Sequence, residues 1–257
     1  MTLSKSKHIN WGRPCLPQIA NFPKNVQLIS TTRYFPIGAG LACSGELGYA
    51  DFNLAMHVGD DLSIVMRNRN LLITKLNLPN APKYLEQTHS NICLDSSSSE
   101  CVGDAVVTKD RNSVCAIMTA DCLPIFAANV AGTQVGVAHA GWKGIVNGII
   151  ESFIAKFDQQ ELVIHFGPAI SAKNFEVGQD VFDQFINKDS ALEQAFTPSG
   201  NKYQLDIYQA ASIILNNLGV ENISGGDQCT FDEQDKYFSY RRDGAKSGRM
   251  AHLIWIK

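Results

Sequence analysis

The sequence has no CxxC pair, no apolar run of membrane-spanning length and no cluster of basic residues. Each lack removes a class of function. Without cysteines paired at short spacing, a closed structural zinc ribbon has no ligand set. Crossing a bilayer takes ~20 consecutive apolar residues, and no window approaches that length. A formal net charge of -3 without a basic stripe gives no electrostatic basis for nucleic-acid binding. A phosphate-bearing small molecule needs only one or two well-placed cations and stays open. Residues 1–14 lack the apolar core of a secretory signal, so a cytoplasmic protein is expected. The seven cysteines are an odd number scattered without framework spacing, which favours reduced thiols over disulfides. Cys15, Cys43, Cys93, Cys101 and Cys115 are expected to be structural or surface thiols.

Hydrophobic residues make up 45% of the chain and charged residues 18%, ordinary proportions for a folded domain rather than a disordered chain. The 257 residues suffice for one large domain or two small ones. Residues 26–31 read as a strand. Residues 60–76 read as a helix with Leu62, Val65, Leu72 and Leu76 near one face. Residues 95–100, mostly serine, form a polar loop. The short β-branched runs 104–108, 113–118 and 134–138 read as buried strands, and residues 125–130 as another strand or a short helix. Residues 144–157 carry one apolar stripe at the helical period: Ile145, Ile149, Ile150, Phe153, Ile154 and Phe157. Residues 162–166 and 251–256 read as strands, 177–187 and 206–218 as helices. Strands and helices mingle without strict alternation, which favours α+β or a mixed-sheet fold over a doubly wound one.

Three segments place reactive side chains where a strand ends or a helix begins. They are Gln87-Thr88-His89-Ser90, Thr119-Ala120-Asp121-Cys122-Leu123-Pro124 and His139-Ala140-Gly141-Trp142-Lys143-Gly144. Such edges carry polar groups into a cleft on a rigid frame. His89, Cys122 and His139 offer two imidazoles and a thiolate, a good zinc set that leaves one tetrahedral position open. Six histidines and seven cysteines also give such trios by chance. The same residues equally suit a thiolate–imidazole pair, with Cys122 as nucleophile, His139 as base and Asp121 or another polar group orienting the ring. The glycines after His139 lead into a helix whose first amides can hold an oxyanion or phosphate. Arg241, Arg242 and Arg249 can clamp an anion, or serve surface carboxylates and helix ends. Lys143 follows a candidate ligand at a helix start. Asn53, His57 and Asp60 can line a pocket, although an N-cap explains Asp60 equally well.

The order of Asn53-Leu54, His57-Val58-Gly59-Asp60, Asn68-Arg69, Gln87-x-His89, Asp104-Ala105, Thr119 to Pro124, His139 to Gly144, Gly167-Pro168, Phe175 to Gly178 and Phe238 to Asp243 resembles the YfiH/YlmD-like family. That family is also called laccase-domain, polyphenol oxidoreductase or peptidoglycan editing factor. Lys143 departs from a common Arg, and Thr88 from a common Val. The resemblance covers nearly the whole chain and implies one catalytic domain over residues 1–257. It implies a single-domain α+β sandwich of mixed β-sheets with flanking helices, related to deamidating toxin cysteine hydrolases. It implies zinc on His89, Cys122 and His139, which are also the catalytic residues. Asn53, Arg69, Lys143 and Arg241 are the candidates for binding substrate. The activities implied are purine nucleoside phosphorylase on adenosine or inosine, with adenosine deaminase and methylthioadenosine phosphorylase. The alternatives are a Cys122/His139 amidase acting on a muropeptide precursor and a copper-dependent phenol oxidase. Small-molecule substrates, no nucleic acid, no membrane and a monomer or weak homodimer are expected.

Overall fold

Runs of β-branched and small apolar residues fill the centre of the molecule, and the amphipathic helices cover it from both sides. The computed structural model describes residues 22–34, 52–158 and 161–257; Cys15 and Cys43 lie outside them. In chain order the strands and helices are β1 (Val26–Ser30), α1 (Leu62–Leu76), β2 (Cys93–Asp95), β3 (Ala105–Thr108), β4 (Cys115–Thr119), β5 (Leu123–Asn129) and β6 (Val135–Ala140). They continue with α2 (Trp142–Asn147), α3 (Ile149–Ile154), β7 (Leu162–Phe166), β8 (Glu176–Val177), α4 (Gln179–Lys188), β9 (Phe196–Ser199) and β10 (Lys202–Leu205). The last are α5 (Ile207–Asn217), β11 (Ile223–Gly225), α6 (Tyr240–Asp243) and β12 (Met250–Ile256).

A six-stranded mixed sheet, β11-β7-β5-β6-β3-β2, packs on a three-stranded antiparallel sheet, β1-β12-β4. Val26, Leu28, Ile117 and Ile254 from the small sheet meet Val106, Phe126, Val137 and Val163 from the large one. The outer face of the large sheet is covered by α2 to α5 through Ile145, Ile149, Phe153, Phe185 and Ile214. The outer face of the small sheet is covered by Leu72 and Leu76 of α1. The fold is α+β: two sheets stacked face to face, with helices on both outer faces. A small third sheet, β8-β10-β9, adds an edge beside α4. Because both faces of β3 to β6 are covered, these strands are continuously apolar instead of alternating.

The structure corrects several sequence expectations. Leu62 is 53% exposed; Asp61 caps the helix by accepting from the Ser63 amide, so Leu62 belongs to the solvated first turn. The stripe over residues 144–157 is not one helix. Gly148 takes φ +92 between α2 and α3, and that turn keeps Ile145 and Ile149 both on the sheet. Of the two readings for residues 125–130 the strand holds over 125–129, because β5 pairs with β6 on one side and β7 on the other, and Val130 lies in the turn that follows. Strands β8 to β11 were not read from the sequence; they are two to four residues long and carry few β-branched side chains.

Candidate metal centre

The reactive side chains come from three neighbouring edges of the large sheet. His139 lies on β6, 4% exposed. Cys122 occupies the turn between β4 and β5, directly after Asp121, whose backbone takes φ +89. His89 sits in the segment before β2, itself at φ +59. Left-handed backbone is uncommon outside glycine and concentrates where the surrounding structure imposes it. Here it turns two chain segments sharply, so that His89 and Cys122 face His139.

One ligand atom from each of His89, Cys122 and His139, a ring nitrogen or the thiol sulfur, lies within 4.8 Å of the other two. Cys122 Sγ is 3.7 Å from His89 Nε2. The two imidazole centroids are 4.7 Å apart, edge to face. Gly141 leaves the space this requires. A Cβ there would stand 2.7 Å from His89 Cδ2, 2.9 Å from Cys122 Sγ and 3.0 Å from His89 Nε2. Two imidazole nitrogens and a thiol converging on a space that a methyl group would fill fit a zinc ion with an open fourth position. Among the described residues this is the one group of three or more metal-capable side chains so converged. His165 and His252 are engaged elsewhere, by Ser224 and by Thr119 and Ser30.

Asp104, fully buried, organises the trio. Its carboxylate meets His139 Nδ1 at 2.8 Å. It accepts from the amides of Thr88, His89 and Ser90 at 3.2, 3.0 and 2.6 Å, and from the Ser90 hydroxyl at 2.7 Å. One side chain thus fixes the His139 ring, presenting Nε2 to the site, and clamps the strained backbone of His89. Burial opposes ionisation of Asp104, but the His139 and Ser90 hydrogen bonds override it and hold the carboxyl down to about 2. Burial also acts against the Cys122 thiolate. The charge and hydrogen bond of His139, with help from His89, outweigh it and push the thiol below its ordinary range. The same pairing raises His139 against its burial. Cys93 and Cys115 show the contrast: burial, only weakly opposed by Lys156 and Lys83, pushes both thiols up.

Of Asp121 or another polar group, the two choices for orienting the ring, the structure has the second: Asp104 holds it. The Asp121 carboxylate accepts from the Thr230 hydroxyl at 2.6 Å and from the Arg241 amide at 2.7 Å. It thereby ties the Cys122 turn to the first turn of α6. The only sequence signal for Asp104 was its place in the Asp104-Ala105 pair, far in the chain from both histidines.

The other candidates are dispersed around this centre. Asn53 is fully buried, its amide donating to Ala55 O and Asp60 Oδ2 and its Oδ1 accepting from the Ala55 and Arg249 amides. Arg69, on α1, donates from Nε to Leu54 O and lies 3.9 Å from the Tyr84 ring. Arg241 is exposed and donates both terminal nitrogens to Glu176 O. Lys143 is exposed, 5.5 Å from the Trp142 ring. Arg242 is spent on structure, bonded to Asp243 and to three carbonyls. Helix α2, which follows His139, has six residues. Among the described residues no helix is long and apolar enough to cross a membrane.

Comparison with known proteins agrees with this architecture. The chain is 43% identical over 244 residues to a Haemophilus influenzae protein named purine nucleoside phosphorylase, covering 92% of this chain and 97% of the relative. It is 41% identical over 239 residues to the Escherichia coli protein named purine nucleoside phosphorylase YfiH, with 91% and 95% covered. A Neisseria meningitidis crystal structure superposes with a TM-score of 0.82 at 40% identity, covering 92% of this chain and 96% of that one. Residues 41–257 match the family model described as multi-copper polyphenol oxidoreductase laccase. The chain belongs to that laccase-like family, alongside YfiH.

Proposed function

We propose that this chain is a zinc-dependent purine nucleoside phosphorylase acting on adenosine and inosine. Adenosine deaminase and methylthioadenosine phosphorylase activities are proposed at the same centre. The observation that carries the reading is the convergence of His89, Cys122 and His139 around the space left by Gly141. It is joined by the purine nucleoside phosphorylase names of relatives that align over nearly their whole length. The whole chain is proposed to be one catalytic domain, cytoplasmic, and monomeric or weakly dimeric.

Zinc would be held by Cys122 Sγ, His89 Nε2 and His139 Nε2, and when bound it supplies Lewis acidity toward the purine or a water. Asp104 holds the Nδ1 proton of His139, so the opposite nitrogen stays available at a fixed angle. His89 and Cys122 sit on strained turns that keep their side chains from swinging away. In phosphorolysis a phosphate oxygen forms a bond to C1′ of the ribose, the C1′–N9 bond breaks, and its electron pair leaves with the purine. A cation must hold the phosphate; Arg69, Lys143 and Arg241 are the candidates, with Asn53 shaping the adjoining loop.

A second reading rests on the depressed Cys122 thiol beside the raised His139, an arrangement that also serves a cysteine amidase on a muropeptide-type amide. The copper oxidase reading rests on the family's description. It ranks last, since a multicopper cluster needs several imidazole sets.

Metal-free purification followed by zinc analysis and assays on adenosine and inosine, with and without phosphate, separates these readings. Phosphate-dependent release of base, lost by Cys122→Ala and by chelation and restored by zinc, is expected. Amide hydrolysis that survives full chelation overturns the zinc reading in favour of the thiol hydrolase.

A further inference from the structure

Arg69 is a cation of α1. Its side chain is half-buried, and among the described residues no carboxylate pairs with it. Only Nε is used, by Leu54 O at 2.8 Å, while the guanidinium lies 3.9 Å from the Tyr84 ring. That leaves the two terminal nitrogens, the fork that recognises oxyanions. Beside it the Tyr84 hydroxyl is buried without a hydrogen-bond partner, an expensive state for a donor. Burial, only partly offset by Arg69, holds that hydroxyl up to about 12, so it is a neutral O–H donor at ordinary pH.

An arginine and an imidazole share this locale. The Arg249 amide donates to Asn53 Oδ1, one residue from the Leu54 carbonyl that Arg69 takes, and its Nη1 donates to Ser247 O and Gly248 O. His57, on the same loop and exposed, has its basicity lowered by burial and then by the charges of Arg249 and Arg69. On that loop the Asp60 carboxylate is occupied by Asn53 Nδ2 and the Asp61 amide. Among the described residues no carboxylate offsets this half-buried guanidinium, and a ligand that carries negative charge is stabilised there.

The cluster also lies beside the metal-ligand segments. Arg249 directly precedes Met250, which pairs with Thr119 at the end of β4, three residues before Cys122. Tyr84 begins the segment that runs to His89, and Gln87 in it clamps both backbone polar groups of Met118. By comparison, both terminal nitrogens of Arg241 are taken by Glu176 O, and Lys143 is exposed.

We infer that Arg69, Arg249 and His57, with the Tyr84 hydroxyl, form a binding site for inorganic phosphate. The site itself rests on the two terminal nitrogens of Arg69, on the Tyr84 hydroxyl and on the positive charge beside them; the identity of the anion rests on the phosphorylase reading.

The test is a titration of the purified, zinc-loaded protein with inorganic phosphate by calorimetry, at ionic strength held constant with chloride. It is run with and without inosine. Saturable binding is expected in the wild type, weakened tenfold or more by Arg69→Gln and by Arg249→Gln. Arg69→Lys keeps the charge but loses the fork and is expected to fall between the two. His57→Gln lies on the surface, where it cannot disturb the core, and is expected to weaken binding about twofold to threefold. Arg241→Ala is expected to bind phosphate as the wild type does. Wild-type affinity in Arg69→Lys, Arg249→Gln and His57→Gln, loss that follows Arg241→Ala instead, or no saturable binding with or without inosine each overturns the site. Phosphate binding that depends on Arg69 in a protein releasing no base upholds the site and refutes the phosphorylase. Phosphorolysis with an unchanged phosphate KM in Arg69→Lys and Arg249→Gln does the reverse.

Discussion

A single buried carboxylate holds the candidate metal centre together. Asp104 satisfies three amides, one hydroxyl and the His139 ring at once, and its loss frees both histidines. Asp104→Ala is expected to weaken zinc affinity by about 10- to 100-fold, as loss of a ligand-orienting partner does, measured by competition with a chelating dye. An affinity unchanged by that substitution would remove Asp104 from the site. Gly141→Ala probes the opposite requirement, since the added methyl would occupy the place where the ligands converge. Zinc is expected to be lost while the thermal transition of the metal-free protein stays near that of the wild type. Full zinc occupancy in Gly141→Ala would mean that the ligands do not meet there.

At the scale of elements, the centre depends on turns rather than on helices or strands alone. Strand β6 delivers His139 from a fully covered sheet, while the turns at His89 and Asp121 bring in the other two ligands. The break between α2 and α3 is another such device. A Cβ on Gly148 would meet nothing closer than Glu151 Oε2 at 3.7 Å, so the cost of Gly148→Ala is conformational alone. With φ at +92, that cost is about 1–2 kcal/mol, readable as a lower urea midpoint. A neutral or stabilising effect would show that the two helices merge without penalty.

For the molecule as a whole, acid sensitivity is built into the core. Burial pushes His252 down to about 3 and His165 down to about 4, so both are neutral when folded and free to take a proton near pH 6.5 when unfolded. Between that pH and the lower folded values the unfolded chain binds more protons. Stability from these groups is therefore complete above about pH 6.5 and falls as the pH drops through the window. The slope reaches up to about 1.4 kcal/mol per pH unit for each group. Urea titrations across the window check this, and His252→Gln is expected to flatten the slope. A slope identical in wild type and His252→Gln would place His252's protonation outside the folding equilibrium.

The sequence by itself determined the candidate reactive side chains and the central strands. The continuous apolar runs marked β3, β4, β6 and β7 because strands covered on both faces tolerate nothing else. His89, Cys122 and His139 were legible because thiolate and imidazole at strand edges suit a metal, and because their flanking motifs are family-like. What needed tertiary structure were relations between residues far apart in the chain. Asp104 and Asp121 are both acidic residues at strand ends, and only the packed sheet decides which of them reaches His139. Leu62 matches the helical period as well as Val65 does, but its turn precedes the point where α1 meets the small sheet. Arg69, Arg241 and Arg242 are alike in sequence; their difference lies in how many of their nitrogens the fold has already used. Hydrophobic pattern is a local property and survives reading along the chain. Charge pairing and hydrogen-bond satisfaction depend on what folding brings within about 3 Å, and no spacing along the chain encodes that distance.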